Sequence, residues 1–169
     1  SRGKKNQLNP KSGIELKARA KINLFLNVLG KRPDGYHEIE TVFQSVELHD
    51  KVSIKKISSG IKVICDHPDV PVDEKNIAFR AANLLIDSSN INQGVEIVIN
   101  KNIPVGAGLG GGSTDAAATL VGMNHIFELG YSKAELMQLG VKLGADVPFC
   151  ITGGTAIGRG IGEILTPLS

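Results

Sequence analysis

Between Gly106 and Gly112 the chain places glycine at five of seven positions, and the residues that follow, Ser113-Thr114-Asp115-Ala116-Ala117-Ala118-Thr119-Leu120, have the composition of a helix. Each glycine in an ordered element costs roughly 0.5–1 kcal/mol relative to alanine. A run this dense therefore implies that something approaches the backbone more closely than a Cβ would allow. Successive N–H groups of a glycine-rich turn, feeding a helix N-terminus, form a site for anions, and phosphates suit it best. The helix end adds about half a positive charge.

Three phosphate loops compete for the stretch. Gly106, Gly108 and Gly111 satisfy G-x-G-x-x-G, but the dinucleotide fingerprint also needs a second strand and an acidic residue about 20 positions on. Glu128 stands near that distance, yet late in the expected helix, with another helix after it. A Walker loop requires a lysine before its Ser/Thr, and Gly112-Ser113-Thr114 has none. The H-R-D and D-F-G elements of protein kinases are missing as well. A plain structural reading, a turn that lets a helix pack closely on a sheet, stands beside these.

The rest of the chain bounds the setting. With 169 residues there is length for one domain with a real core, and a net charge of +2 is too small to point to nucleic acid or an anionic membrane. No apolar run approaches the ~20 residues of a membrane span. Two cysteines, Cys65 and Cys150, make neither a disulfide framework nor a zinc set, so a reducing cytoplasm is expected, or a plastid stroma in a plastid-bearing organism. Both sit in apolar stretches and are expected to be buried and inert. His49, His67 and His125 have no metal-binding spacing. Residues 1–10 read as a loose tail or vector-derived residues, and 11–169 as one domain.

Alternation predicts one or two strands over 14–29, a turn at Pro33-Asp34-Gly35, and β structure over 39–58 and 61–66. Asn76 reads as an N-cap for a helix carrying Ile77, Ala81, Leu84 and Leu85 on one face. The stretch 92–105 reads as a strand ending at Pro104. Ser113 or Thr114 is expected to cap a helix from about Asp115 to Glu128. Ser132 and Glu135 form a capping-box pattern for a third helix with Leu136, Leu139 and Leu143 on one face, closed by Gly144. Residues 145–160 read as a turn, a strand and a glycine-rich stretch. The order implies an α+β domain, one sheet with helices packed on one face.

Pro104-Val105-Gly106-Ala107-Gly108-Leu109-Gly110-Gly111-Gly112-Ser113-Thr114 resembles the P-x-G-x-G-L-G-G motif of the GHMP small-molecule kinases. Ala20-Lys21-Ile22-Asn23-Leu24, Arg32-Pro33-Asp34-Gly35-Tyr36-His37, Thr41-Val42-Phe43-Gln44 and Gly144-Ala145-Asp146-Val147-Pro148-Phe149 resemble, in the same order, the branch of that family acting on a cytidine diphosphate-linked methylerythritol in non-mevalonate isoprenoid synthesis. The resemblance implies a GHMP kinase N-terminal domain, ribosomal protein S5 domain 2-like. It also implies a C-terminal GHMP domain absent from this chain, with the active site between the two. ATP and Mg²⁺ are the implied cofactors, and a small-molecule alcohol is the acceptor.

Residue by residue, the resemblance makes Asp146 the catalytic carboxylate and Lys21 its partner. It makes the stretch from Pro104 to Thr114 the phosphate cradle, with Asn76 and Lys101 towards the nucleoside. Asn23, Tyr36 and His37 match substrate-binding positions; His37 suits a pyrimidine edge, and Tyr36 or Phe43 its ring. Gly153, Gly154, Gly158, Arg159 and Gly160 resemble a stretch near the substrate. Plain structural roles compete for several of these residues: a turn cap for Asp146, a surface lysine for Lys21 or Lys101, a simple N-cap for Asn76. Three other functions remain open beside this kinase: a sister kinase with another alcohol, an ATP-binding fragment without turnover, and an NAD-binding oxidoreductase.

Overall fold

A computed structural model describes residues 12–169; the expected tail over 1–10 lies outside them. The elements are β1 (Gly13–Lys31), β2 (His37–Ile57), β3 (Ile61–Cys65), α1 (Ile77–Ser88), β4 (Gly94–Asn100), α2 (Gly111–Ile126), α3 (Lys133–Val141), α4 (Val147–Thr152), β5 (Thr155–Arg159) and β6 (Ile164–Leu168). They form one six-stranded sheet in the order β3-β4-β2-β5-β6, with β1 along the other edge of β2. β2 is long enough to serve two partners on one edge. Its later half pairs β4 and its earlier half pairs β5, both antiparallel. Only β3 and β4 run parallel, with α1 as their crossover.

The alternation in β4 turns Val95, Ile97 and Ile99 inward, onto a core with Val52 and Ile54 of β2 and Ala78, Ala81, Ala82 and Leu85 of α1. Helix α2 is buried almost all round, and its small residues allow this. A Cβ on Gly122 would lie 2.6 Å from Ile54 Cδ1 and 2.9 Å from Leu16 Cδ1, so the helix rests directly on the sheet.

Several expected boundaries move. β1 is one continuous strand. Helix α2 begins at Gly111, with left-handed Gly110 as N-cap, so Ser113 and Thr114 lie inside its first turn rather than capping it. It stops at Ile126, with Phe127 as C-cap, short of Glu128. The capping box of Ser132 and Glu135 forms with both of its bonds. Helix α3, however, ends at Val141, and Gly144 is not left-handed. The stretch after Asp146 is a short helix, because Pro148 in its first turn favours a helix start and offers no N–H to a ladder. Cys150 therefore sits on a helix; it and Cys65 are both only partly buried. No helix among the described residues is long and apolar enough to cross a membrane.

Candidate active site

Lys21 owes its position to an irregularity in the β1–β2 ladder. Arg19 pairs His49 but Lys21 pairs Ser45, a register shift between the two. Regular pleating alternates faces, yet Ala20 and Lys21 are both buried. The shift thus turns the lysine inward, as bulges beside functional sites do. Its Nζ lies 3.3 Å from Asp146 Oδ2 and donates to Asn23 Oδ1 at 2.8 Å. The Asn23 amide in turn donates to Thr41 Oγ1 at 2.8 Å, and that hydroxyl donates to the Phe25 carbonyl at 2.6 Å. The ammonium also stands 5.5 Å from the centre of the Phe43 ring.

Asp146 occupies the N-cap of α4, but its side chain makes no capping bond. Its carboxylate is turned to Lys21 instead. The side chain is 35% exposed while that of Lys21 is 8% exposed, so the pair is open on the acid's side.

The glycine loop lies against this pair. The Lys21 N–H donates to the Leu109 carbonyl at 2.9 Å. A Cβ on Gly110 would fall 2.9 Å from Lys21 Cγ. Gly106, Gly108 and Gly110 are all left-handed, with φ of 73°, 74° and 70°. α2 has no side-chain cap at its N-cap, so its first amides are open to an anion. The loop, with Lys75, Asn76, Ile77, Lys101 and Asp115, lines a cavity of about 360 Å³. Asn76 is a true N-cap, accepting the Ala78 N–H at 2.8 Å, and also lines this cavity.

Lys101 is not a surface lysine. Its side chain is 5% exposed and its Nζ lies 2.6 Å from Asp50 Oδ2 and 3.0 Å from Asp115 Oδ2. Asp50, wholly buried, also accepts the N–H groups of Asn102 and Ile103 at 2.7 and 2.8 Å. Burial pushes the Asp50 carboxyl up, but contact with Asp115 and these donors more than offset it and hold it below the usual carboxylate range. Burial first, then contact with Asp50, pushes Asp115 up to about 8. Burial pulls the Lys101 ammonium down, and the two acids more than restore it.

Sequence reasoning missed this cluster. Asp50 stands in a strand between a histidine and a lysine, with no pattern to separate it from a solvated acid. Thr41 stands in the quoted Thr41–Gln44 stretch, but the sequence assigns it no role of its own. Phe43, expected as a stacking surface for a base, is 1% exposed and stacks on Phe149 at 4.8 Å, so its faces belong to the core. Tyr36 and His37 are exposed at the tip of the β1–β2 hairpin. Ile39 Cδ1 and the Ala145 carbonyl oxygen lie 3.7 and 3.8 Å from where a Gly162 Cβ would stand. Among the described residues no group of three or more His, Cys, Asp or Glu side chains stands ready for a metal ion.

Residues 76–154 match the family described as the GHMP kinases N terminal domain. The chain is 57% identical over 155 residues to a 4-diphosphocytidyl-2-C-methyl-D-erythritol kinase of Acetivibrio thermocellus, and 54% identical to one of Clostridium botulinum. Each match covers 92% of this chain and 55% of the relative, so the chain spans about half the length of the curated relatives it matches. A crystal structure of 4-(cytidine 5'-diphospho)-2C-methyl-D-erythritol kinase superposes with a TM-score of 0.78 at 41% identity, covering 92% of this chain and 55% of that one. The homoserine kinase of Cytophaga hutchinsonii, at 21% identity and a TM-score of 0.71 over 93% of this chain and 52% of its own, shares the fold.

Proposed function

This chain carries the N-terminal domain of the GHMP kinases, and on that premise we propose that it serves an ATP-dependent kinase that phosphorylates the 2-hydroxyl of 4-diphosphocytidyl-2-C-methyl-D-erythritol. The observation that carries the reading is the Lys21–Asp146 pair seated against the phosphate loop through the Lys21–Leu109 bond. The identity to named relatives supports the choice of acceptor.

The chemistry follows from the geometry. The left-handed glycines and the open first turn of α2 cradle the phosphates. Mg²⁺ enters with the nucleotide, as part of the Mg-ATP substrate, and draws charge off the phosphate oxygens. The acceptor oxygen forms a bond to the γ-phosphorus while the bond from that phosphorus to the leaving ADP oxygen breaks. The hydroxyl proton passes to Asp146 and on to solvent. In a loose transition state the proton leaves late, so Asp146 chiefly orients the hydroxyl. Lys21 holds Asp146 in place and offsets charge on the moving group. Asn23, expected to touch substrate, accepts from the Lys21 ammonium, donates to Thr41, and so helps to hold the ammonium in place. Tyr36 and His37, exposed on the arm, are the groups offered to the cytosine.

An acceptor panel tests this reading. The chain joined to the C-terminal half of its relatives is given Mg-ATP with 4-diphosphocytidyl-2-C-methyl-D-erythritol, homoserine or mevalonate, and products are followed by ³¹P NMR. A phosphomonoester with the first acceptor alone is expected. Turnover of another alcohol would establish the sister-kinase reading. Binding of NADH in place of ATP would establish the dinucleotide reading.

A further inference from the structure

Beneath the phosphate cradle, Asp50, Lys101 and Asp115 bring two acids and one base together almost without solvent, with side-chain exposures of 0, 5 and 5%. All three ionised, they would leave one uncompensated negative charge in the core. Burying such a charge is unfavourable, and the group takes up a proton instead. The hydrogen bonds show where that proton goes. Both Asp50 oxygens are met by donors: Oδ2 by Lys101, Oδ1 by two backbone N–H groups. Asp115 receives Lys101 on Oδ2 alone, and its buried Oδ1 has no donor. Oδ1 is therefore the oxygen left to carry a proton, and Asp50 is the neighbouring carboxylate on the same Lys101 ammonium.

The place of the cluster gives that proton a consequence. Asp115 lies in the first turn of α2 and lines the cavity of the glycine loop, as does Lys101, whose Nζ is 3.0 Å from where a Gly111 Cβ would stand. An unneutralised carboxylate there would face the phosphates from behind the amides meant to hold them. We infer that Asp115 is an affinity-determining residue of the phosphate cradle: it carries a proton that neutralises the buried cluster, and nucleotide binding is coupled to retention of that proton. The coupling rests on the phosphate-cradle reading of the proposed function; the protonated state of Asp115 does not.

The other charged groups around Asp115 leave this assignment in place. Asp69 and Lys75, from the loop before α1, line the same cavity with opposite charges. Asp66, after β3, accepts the Lys101 backbone N–H. Cys65 at the end of β3 and Cys150 on α4 both have thiols raised chiefly by burial, the latter to about 12, so neither ionises near pH 8. Lys21 and Asp146 are committed to each other. α1 contributes only Ile77, with its cap Asn76, to the cavity wall.

Asp115→Asn replaces the acid's O–H by an amide N–H without changing shape, and it is the test. Without nucleotide, the melting temperatures of the two proteins are compared from pH 4 to 9. A carboxyl raised from 3.8 to about 8 costs the native state stability as pH climbs between those values. The wild type is expected to fall progressively below Asp115→Asn up to about pH 8, with a constant gap above. A gap independent of pH would show Asp115 ionised throughout and overturn the inference. With nucleotide, Mg-ADP binding is measured calorimetrically at pH 8 in two buffers of different ionisation heat, and its Kd at pH 8 and 9. Net proton uptake and a Kd rising by up to about tenfold per pH unit are expected for the wild type, and neither for Asp115→Asn. A flat wild-type Kd without proton uptake would overturn the coupling. No Mg-ADP binding at any pH, with the stability gap in place, would instead overturn the phosphate-cradle reading and the coupling with it, leaving the protonated carboxyl standing.

Discussion

The Lys21 N–H and the Leu109 carbonyl are joined by a 2.9 Å hydrogen bond, so the strand bearing the ammonium and the glycine loop share one backbone contact. Strand β1 carries Lys21, the start of α4 carries Asp146, and the loop before α2 carries the proposed cradle. The approach of Lys21 Cγ to Gly110 fixes their spacing to the width of a missing methyl group. A phosphoryl group held by the α2 amides would then stand beside the Lys21 ammonium.

Gly110→Ala tests that spacing. The new Cβ meets Lys21 Cγ at 2.9 Å from a residue at φ 70°. The left-handed conformation alone costs roughly 1–2 kcal/mol, or a melting point lower by roughly 2–4 °C per kcal/mol. Nucleotide affinity is expected to fall with it. Gly130→Ala is the control: its φ is 75°, with nothing within 4 Å of the added methyl. It is expected to lose similar stability and no affinity, as read by thermal melts and calorimetry.

Asn23→Ala separates positioning from binding. The substitution removes the acceptor of the Lys21 ammonium and the donor to Thr41. In steady-state kinetics kcat is expected to fall by about tenfold or more, the scale of one charge-assisted hydrogen bond, with KM for ATP unchanged. An unchanged kcat with a raised KM for the acceptor would make Asn23 a binding residue alone.

Lys101→Met leaves the wholly buried Asp50 with its backbone donors but without its cation. Breaking a buried ion pair from one side costs about 3–5 kcal/mol. Urea denaturation should show that loss. A change below ~1 kcal/mol would mean that the cluster is hydrated or that Asp50 is itself protonated.

Ser132→Ala removes one bond of the capping box at the start of α3. The expected loss is ~1 kcal/mol, without effect on nucleotide binding, because α3 contributes no residue to the cavity wall.

The capping box was legible because it depends on residues three apart, and so was the glycine loop, where one short stretch carries the whole signal. The alternation of β4 and the Asn76 cap were equally local. Asp146 was read at its place, but not its surroundings: the turn after Gly144 forms a helix because Pro148 starts one, and a short apolar run does not separate helix from strand. The inward turn of Lys21 depends on a register shift against β2, which no local pattern announces. The Asp50–Lys101–Asp115 cluster joins residues 51 and 14 positions apart. Only the fold shows that these charges are buried. The burial of Phe43 against Phe149 is of the same kind.

The central claim is that Asp146, held by Lys21 beside the glycine loop, receives the acceptor's proton. Its most direct measurement is acceptor-dependent ADP release from Mg-ATP by the chain joined to the C-terminal half of its relatives, with Asp146→Asn alongside and circular dichroism showing both folded. The account predicts a loss of ~10²–10⁴-fold in Asp146→Asn, the usual weight of a positioned acid or base, with Kd for Mg-ATP within about threefold of wild type, since Asp146 makes no part of the cradle. Full acceptor-dependent release in a folded Asp146→Asn would contradict it.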